Sequence, residues 1–340
     1  MPPNINDVAR KAGVSKSTVS QYLSGRYEYM GADTRERIKE IIESIGYRPN
    51  ALARSLKNKS TNSVAVIVSS VLNPFFTSII RGAEDYCKKA GFNLILCNAD
   101  GDPAKEREYI ETLLPKQIDG FLIATTEQNN DYIRNVDKHT PVVLAGRNVP
   151  DIGTDAVSVN NFSGISMGVE HLLSLGHRKI ALFVLPYSTI KATPRSERVQ
   201  AFQTVMKDRD HPGIIDWIVE VENDEELIRQ KANELLSLRE NRPTAFFGAN
   251  DIMTITLFKV LKQMGVKLPQ ELALIGFDDW EWAALLDPPI SAVAQPTYQM
   301  GYDAAELLVA RINNKNILPK PQIAVYEPTL VARRSCGEEL

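Results

Sequence analysis

The sequence predicts a small all-α module followed by a larger α/β core made of two similar halves. Over the first fifty residues, apolar side chains repeat at helical spacing and glycine ends the runs. From about residue 61 onward, short β-rich runs alternate with amphipathic helical stretches, as in parallel sheets covered on both faces. A chain of 340 residues also exceeds the usual size of one domain, which agrees with this division.

Charge divides the chain at the same place. Residues 1–60 carry 11 Lys and Arg against 6 Asp and Glu, a balance of +5, whereas the remaining chain has a balance of −8. A basic module on an acidic body is typical of a protein whose N-terminal part meets nucleic acid. Charge alone leaves open the alternative of a chance cluster of solvated side chains.

Several classes of protein are excluded by the sequence. An apolar run of 18 residues and a signal peptide are both lacking, so we expect a cytoplasmic protein with no membrane partner. The three cysteines and four histidines lack the spacing of disulfide frameworks or metal sites, so no metal and no cofactor are expected.

One motif matches a sequence pattern that is typical of hydrolases. The run GISMG at residues 164–168 matches the nucleophile elbow of hydrolases, but Ser166 falls inside a predicted helix rather than on a strand-to-helix turn. Phosphate-binding glycine motifs are also lacking. We therefore expect no catalytic residues and no enzyme activity.

The N-terminal module has the spacing of a helix-turn-helix. Asn4 can cap a first helix that Gly13 ends, and Ser15 can cap a second helix that runs to about Leu23. The stretch DTRERIKEIIESI predicts a third helix, with Gly31 at its cap position, whose isoleucine stripe can pack against the first two.

The second helix is the element that a helix-turn-helix places in the major groove. Lys16, Ser17 and Gln21 share its polar face and can pair with base edges. The hydroxyls of Thr18 and Ser20 suit phosphate oxygens, and Ser15 completes this predicted set of DNA contacts. A protein-interaction role for this helix is the alternative that its spacing leaves open.

The motifs INDVARKAGVSKSTVSQYLSG and YRPNALARSL resemble the DNA-binding headpiece of the LacI/GalR family of bacterial transcription regulators, over roughly residues 4–60. The resemblance implies a homodimer on double-stranded operator DNA. It also implies a hinge helix, paired on DNA, that inserts Leu56 into the minor groove beside Ala53. Asn50 and Arg54 complete the predicted DNA contacts of this segment.

The core is also similar to that of the family, which resembles periplasmic binding proteins, through NPFF, SERVQAF, RPTAFFGANDIM, LALIGFDD and AVAQP. The resemblance implies two doubly wound parallel-sheet subdomains. The expected organisation is a headpiece at 1–48, a hinge and linker at 49–61, an N-subdomain at about 62–157 and 292–322, and a C-subdomain at about 158–291 and 323–340.

Ligands of open parallel sheets bind outside the carboxyl ends of the strands, where polar residues cluster in this sequence. Combined with the resemblance, this predicts an effector site in the cleft, formed by Asn73, Phe75, Phe76, Arg147, Asn160, Arg195, Arg198, Asn250, Asp278 and Gln295. Amides, carboxylates and aromatic faces suit a sugar-like ligand.

Two departures from the family bear on the charge of this ligand. Asn160 stands where many members have Asp, and Gly146 precedes Arg147 where Asp is common. The segment STIKATPRSERV adds further basic residues. Fewer acids and more bases favour an anionic carbohydrate-type effector such as a sugar acid or sugar phosphate.

The predicted function is a sequence-specific repressor of a carbohydrate or sugar-acid operon, released from its operator by a small effector. Control by a phosphorylated carrier protein and a free sugar-binding protein are the alternatives. The sequence leaves open which effector and operator are used, and whether the regulator represses or activates.

Overall fold

The computed structural model describes residues 3–28, 30–48, 60–150, 152–188, 193–207, 217–314 and 320–337. The chain divides into two compact units, Met1–Asn62 and Ser63–Leu340, which are described separately. The predicted hinge helix, with Asn50, Ala53, Arg54 and Leu56, lies outside the described residues.

The described residues of the first unit form three helices, α1 (Ile5–Ala12), α2 (Lys16–Leu23) and α3 (Ala32–Ile45). Capping residues begin the first two helices as predicted, while α3 begins at Gly31 without a side-chain cap. Their apolar faces meet in one small core. Val8, Val19 and Ile38 are fully buried in it, so the isoleucine stripe of α3 packs as the sequence predicted.

The second unit is an α/β core with two six-stranded sheets. Its strands are β1 (Ser63–Val68), β2 (Asn93–Asn98), β3 (Gly120–Ile123), β4 (Val142–Ala145), β5 (Asp155–Val159), β6 (Ile180–Val184), β7 (Ile218–Glu220), β8 (Ala245–Gly248), β9 (Ala273–Phe277), β10 (Ser291–Ala294), β11 (Ile323–Tyr326) and β12 (Thr329–Val331). Its helices are α4 (Pro74–Ala90), α5 (Pro103–Leu113), α6 (Asn130–Asp137), α7 (Asn161–Ser174), α8 (Thr193–Lys207), α9 (Glu225–Leu236), α10 (Asp251–Gln263), α11 (Glu281–Leu285) and α12 (Thr297–Asn313).

Each sheet defines one subdomain. The sheet of the first subdomain has the order β11-β5-β4-β3-β1-β2, and the sheet of the second has the order β12-β10-β9-β8-β6-β7. Neighbouring strands are parallel except for the pair β10 and β12. The doubly wound α/β prediction is confirmed, and the chain passes between the subdomains three times.

The expected subdomain boundaries need correction at all three crossings. Strand β5 extends the first subdomain to Val159, beyond the expected residue 157. Strand β10 belongs to the second subdomain up to Ala294, and β11 belongs to the first up to Tyr326, whereas the sequence analysis exchanged these two strands. A short apolar run has the same pattern in either sheet, so only the pairing decides its place.

Two contacts hold the crossing segments on the first subdomain. Helix α12 lies so close to α4 that a Cβ atom at Gly301 would be 2.0 Å from the carbonyl oxygen of Ile79. Arg311 of α12 donates two hydrogen bonds, of 2.6 and 2.7 Å, to the buried carboxylate of Asp155. These contacts place the start of β11 beside the start of β5, at the amino ends of the two strands.

Candidate DNA-reading helix and effector cleft

Helix α2 presents a polar face to solvent. Lys16, Ser17 and Gln21 are exposed on it, while Val19 on the opposite face is fully buried. Because α2 is held by this buried face, the three polar side chains project from a fixed backbone and are free to meet base edges. The geometry required by the predicted reading role is present.

Three hydroxyls cluster at the start of α2. The Ser15 Oγ atom accepts a hydrogen bond of 3.1 Å from the Thr18 amide and lies 2.6 Å from Ser17 Oγ and 2.8 Å from Thr18 Oγ1. Ser15 is therefore the cap of the helix. Ser20 is half-buried on the next turn. Positive helix ends and hydroxyls attract phosphate, which makes this end suitable for the DNA backbone.

The first-subdomain side of the cleft begins at α4. Asn73 caps this helix through a 2.7 Å bond from the Phe75 amide, and its Nδ2 atom lies 3.4 Å from Asp251 Oδ1 of the second subdomain. The rings of Phe75 and Phe76 meet edge to face at 5.1 Å. A Cβ atom at Gly146 would lie 2.8 Å from the Phe75 ring, so that glycine makes room for the aromatic side chain.

Arg147 follows β4 and is tied to a carboxylate that the sequence analysis did not identify. Its NH1 atom donates a 3.1 Å hydrogen bond to Oε1 of Glu127, whose residue is 5% exposed. The same Oε1 atom accepts a 2.9 Å bond from the Thr193 amide, and Oε2 accepts a 2.6 Å bond from the Thr193 hydroxyl. Glu127 therefore joins the first subdomain to the start of α8 in the second.

Arg198, the predicted effector-contacting arginine of α8, is buried at 8% exposure. Its Nε atom donates to Asn161 Oδ1 at 2.8 Å, its NH1 atom donates to the Ala249 carbonyl at 2.6 Å, and its Cζ atom lies 3.7 Å from the centre of the Phe277 ring. These protein contacts make Arg198 part of the packing of the second subdomain. The family resemblance implies a ligand contact for Arg198 and does not indicate these protein partners.

Asp278, Asp251 and Gln295 form a buried polar cluster near Arg198. Gln295 donates a hydrogen bond to Asp278, which adopts a left-handed backbone with φ of 78°. Burial raises the pKa of Asp278, while the Arg198 charge opposes that shift. Burial and the neighbouring Asp278 raise the pKa of Asp251 to about 6. At neutral pH the Asp251 carboxyl is therefore mostly ionised, at a cost in folding free energy.

The remaining predicted residues occupy helix ends or bond to the backbone. Asn160 caps α7 and donates a 2.9 Å bond to Glu327, and Asn250 caps α10. Arg195 donates a 2.7 Å bond to the Pro186 carbonyl. Burial lowers the pKa of Arg195, and the nearby charge of Arg147 lowers it further.

A cavity of about 280 Å³ opens at the junction of the subdomains. Arg147 and Asn160 are the predicted site residues that line it, together with Thr193, Glu197 and Asn161 among others. The other predicted residues lie in the surrounding packing or at other parts of the cleft rather than on this wall. The structure thus brings two predicted residues into one cavity.

The cleft holds more carboxylates than the sequence analysis assumed. Glu127, Glu197, Asp251 and Asp278 all belong to its polar network, and of these four only Asp278 is among the residues predicted from the sequence. Glu127 follows β3, and the rule that ligands bind at the carboxyl ends of strands could have found it. Its bond to Thr193 joins residues 66 positions apart, which no local pattern encodes.

Replacing Asp251 with Asn is expected to raise the free energy of unfolding at pH 7.5 and to change it little at pH 4. The folded-state pKa of about 6 lies above the ordinary value of 3.8, so the folded protein binds the extra proton. The contribution of the Asp251 carboxyl to the free energy of unfolding is fully present below about pH 4, and it is lost as the pH rises through about 6. Urea unfolding of both proteins from pH 4 to 7.5 measures the difference, and parallel pH profiles would contradict it.

No helix in the described ranges is long and apolar enough to cross a membrane. Within those same residues, no group of three or more His, Cys, Asp or Glu side chains is arranged to hold a metal ion.

A helix-turn-helix with an exposed polar face, joined to a two-subdomain core with a polar cleft, defines the class of ligand-responsive DNA-binding regulators. Comparisons with known proteins support this class. A family model described as bacterial regulatory proteins, lacI family, matches residues 4–50. A periplasmic binding protein-like domain model matches residues 169–336.

Full-length relatives give the family of the whole chain. The probable HTH-type transcriptional regulator EndR of Paenibacillus polymyxa is 36% identical and covers 93% of this chain and 92% of its own. The HTH-type transcriptional repressor PurR of Aliivibrio fischeri is 31% identical and covers 99% of both chains. A solved transcriptional regulator CelR–cellobiose complex is 27% identical, covers 98% of this chain and 99% of its own, and has a TM-score of 0.69.

The chain belongs to the LacI family of helix-turn-helix transcription regulators. It is therefore a transcription regulator and not an enzyme, as the sequence predicted.

Proposed function

We propose that this protein is a cytoplasmic homodimer that represses a carbohydrate or sugar-acid operon. The exposed polar face of α2 is the observation that carries the DNA-binding part of the proposal. Lys16, Ser17 and Gln21 read base edges there, and Ser15, Thr18 and Ser20 hold phosphates. On sequence grounds, the hinge contacts are Asn50, Ala53, Arg54 and Leu56.

The effector is a small carbohydrate that carries an acid group. The cavity at the subdomain junction supports this proposal because Arg147 lines it together with polar side chains that suit hydroxyl groups. Arg195 lies near enough for Arg147 to lower its pKa, so two guanidinium groups share this end of the cleft. The similarity to a solved regulator in complex with cellobiose supports the carbohydrate class.

Effector binding changes the relative angle of the two subdomains and lowers the affinity for operator DNA. Such coupling requires that the effector bind the two arrangements with different affinities. Contacts between the subdomains, from Asn73 to Asp251 and from Glu127 to Thr193, are the groups whose distances depend on that angle.

A thermal-shift screen against neutral sugars, sugar acids and sugar phosphates tests the effector. We expect one acidic sugar to raise the Tm by mass action and to release operator DNA in the same concentration range. Arg147→Gln and Arg195→Gln are expected to weaken that shift, while Ser44→Ala on α3 serves as the control. A shift with neutral sugars alone would refute the acid group, and a shift without DNA release would refute the regulatory coupling.

A further inference from the structure

Glu127 occupies an unusual position in the core. It lies in the loop after β3 with φ of 65°, a left-handed backbone that side chains other than glycine rarely adopt. Its residue is 5% exposed. A strained backbone and a buried carboxylate both cost free energy, so the contacts of the carboxylate must offset that cost.

Those contacts come from both subdomains. Arg147 of the first subdomain donates to Oε1, and the amide and hydroxyl of Thr193 of the second donate to Oε1 and Oε2. Thr193 is the first residue of α8, a helix of 15 residues whose free amides and dipole favour an anion at this end. The start of α8 is therefore capped by a side chain of the other subdomain.

Arg147 has a further hydrogen-bond donor at the same place. Its Nε atom is buried and has no hydrogen-bond partner among the described residues. Both Arg147 and Thr193 also line the cavity at the subdomain junction. A buried guanidinium donor without an acceptor costs free energy. A carboxylate that binds in the cavity can accept a hydrogen bond from it, because carboxylates accept two parallel bonds from arginine.

We propose that Arg147 and the start of α8 at Thr193 form a carboxylate subsite that the chain fills with its own Glu127. This inference rests on the proposed function, since a carboxylate of the effector has to displace Glu127 to reach these donors. Displacement breaks the link between the subdomains where the ligand binds. Glu127 thereby makes the response selective for ligands with an acid group.

Chemical rescue tests the subsite without the natural effector. Glu127→Ala removes the internal carboxylate, and acetate at pH 7 is offered in its place, with chloride at equal ionic strength for comparison. We expect acetate at 100 mM to raise the Tm of this variant saturably by about 2–4 °C. The wild-type protein, whose subsite is filled, is expected to show no such rise.

Glu220→Ala is the matched control. The Glu220 carboxylate also accepts two amide bonds and one hydroxyl bond, from Tyr187 and Ser188, but all of them lie within the second subdomain. Acetate is expected to rescue this half-buried site no better than chloride. The double variant Glu127→Ala, Arg147→Gln is also expected to lose the rescue. Equal effects of acetate and chloride on Glu127→Ala would overturn the inference.

A second measurement covers the case in which Glu127→Ala does not fold. Glu127→Gln preserves the volume, and hydrogen exchange of the amides of residues 193 and 195–198 is expected to be at least about fivefold faster in it than in the wild type. Glu220→Gln is expected to leave these amides unchanged. Unchanged exchange in Glu127→Gln would refute the cap.

The two proposals can fail separately. If acetate rescues Glu127→Ala but no sugar acid raises the Tm in the thermal screen, the carboxylate subsite stands and the proposed acidic effector is refuted. If a sugar acid raises the Tm but acetate does not rescue Glu127→Ala, the acidic effector stands and the role of Glu127 as an internal carboxylate is refuted.

Discussion

Arg198→Ala is expected to lower the free energy of unfolding of the core by about 3–5 kcal/mol at pH 7.5, the usual cost of leaving buried charges without their partner. Arg198 donates hydrogen bonds to Asn161 and to the Ala249 carbonyl, and its charge opposes the raised pKa of Asp278. Without it, the buried carboxylates of Asp278 and Asp251 face each other uncompensated.

The loss is expected to be smaller at pH 5. The pKa of Asp251 is raised to about 6 by burial and by Asp278, so this carboxyl is largely protonated at pH 5 and needs no counter-charge. Urea unfolding at both pH values measures the difference. Arg107→Ala, which removes an exposed ion pair with Glu111, is the control and should cost less than about 1 kcal/mol. An equal loss for Arg198→Ala at both pH values would contradict this account.

This expectation changes how an Arg198 variant is to be interpreted. Loss of an effector response in Arg198→Ala follows from damaged packing as readily as from a missing ligand contact. Arg147, which lines the cavity and is partly accessible, is the arginine whose replacement reports on the ligand.

Gln21→Ala is expected to change the base preference of the headpiece. Gln21 is exposed on the polar face of α2, and a bidentate pair with adenine contributes roughly 1–3 kcal/mol of discrimination, about 5- to 150-fold. Selection of duplexes from a randomised pool, followed by anisotropy titration at fixed salt, measures preference and affinity together.

The control for this prediction is Ser44→Ala, an uncharged change at an exposed position of α3. It is expected to leave preference and affinity unchanged. A Gln21→Ala protein that selects the same sequences as the wild type would refute the reading role. A uniform loss over all sequences would instead assign Gln21 to the DNA backbone.

The helical unit could be predicted from the sequence because its determinants are local. Caps at Asn4 and Ser15 and the glycine at position 13 act within one turn of the chain. The apolar spacing that buries Val19 also identifies the exposed face with Lys16 and Gln21. The alternation of strands and helices in the core is local in the same sense.

The effector cleft could be predicted only in part. Rules for strand ends and the family resemblance selected Arg147 and Asn160, which line the cavity, and Arg198, whose burial among protein partners they did not predict. They did not select Glu127, although it follows β3, and no local pattern indicates that its carboxylate caps a helix 66 residues further along the chain.

The sequence by itself determined the two-unit organisation, the helix-turn-helix and its exposed polar face, and the α/β class of the core. Only the tertiary structure decided where the chain crosses between the sheets, that Arg198 is buried among protein partners, and that Glu127 links the subdomains. The physical reason is range: caps and periodicity act over a few residues, whereas sheet pairing and the partners of buried charges depend on groups distant in the chain.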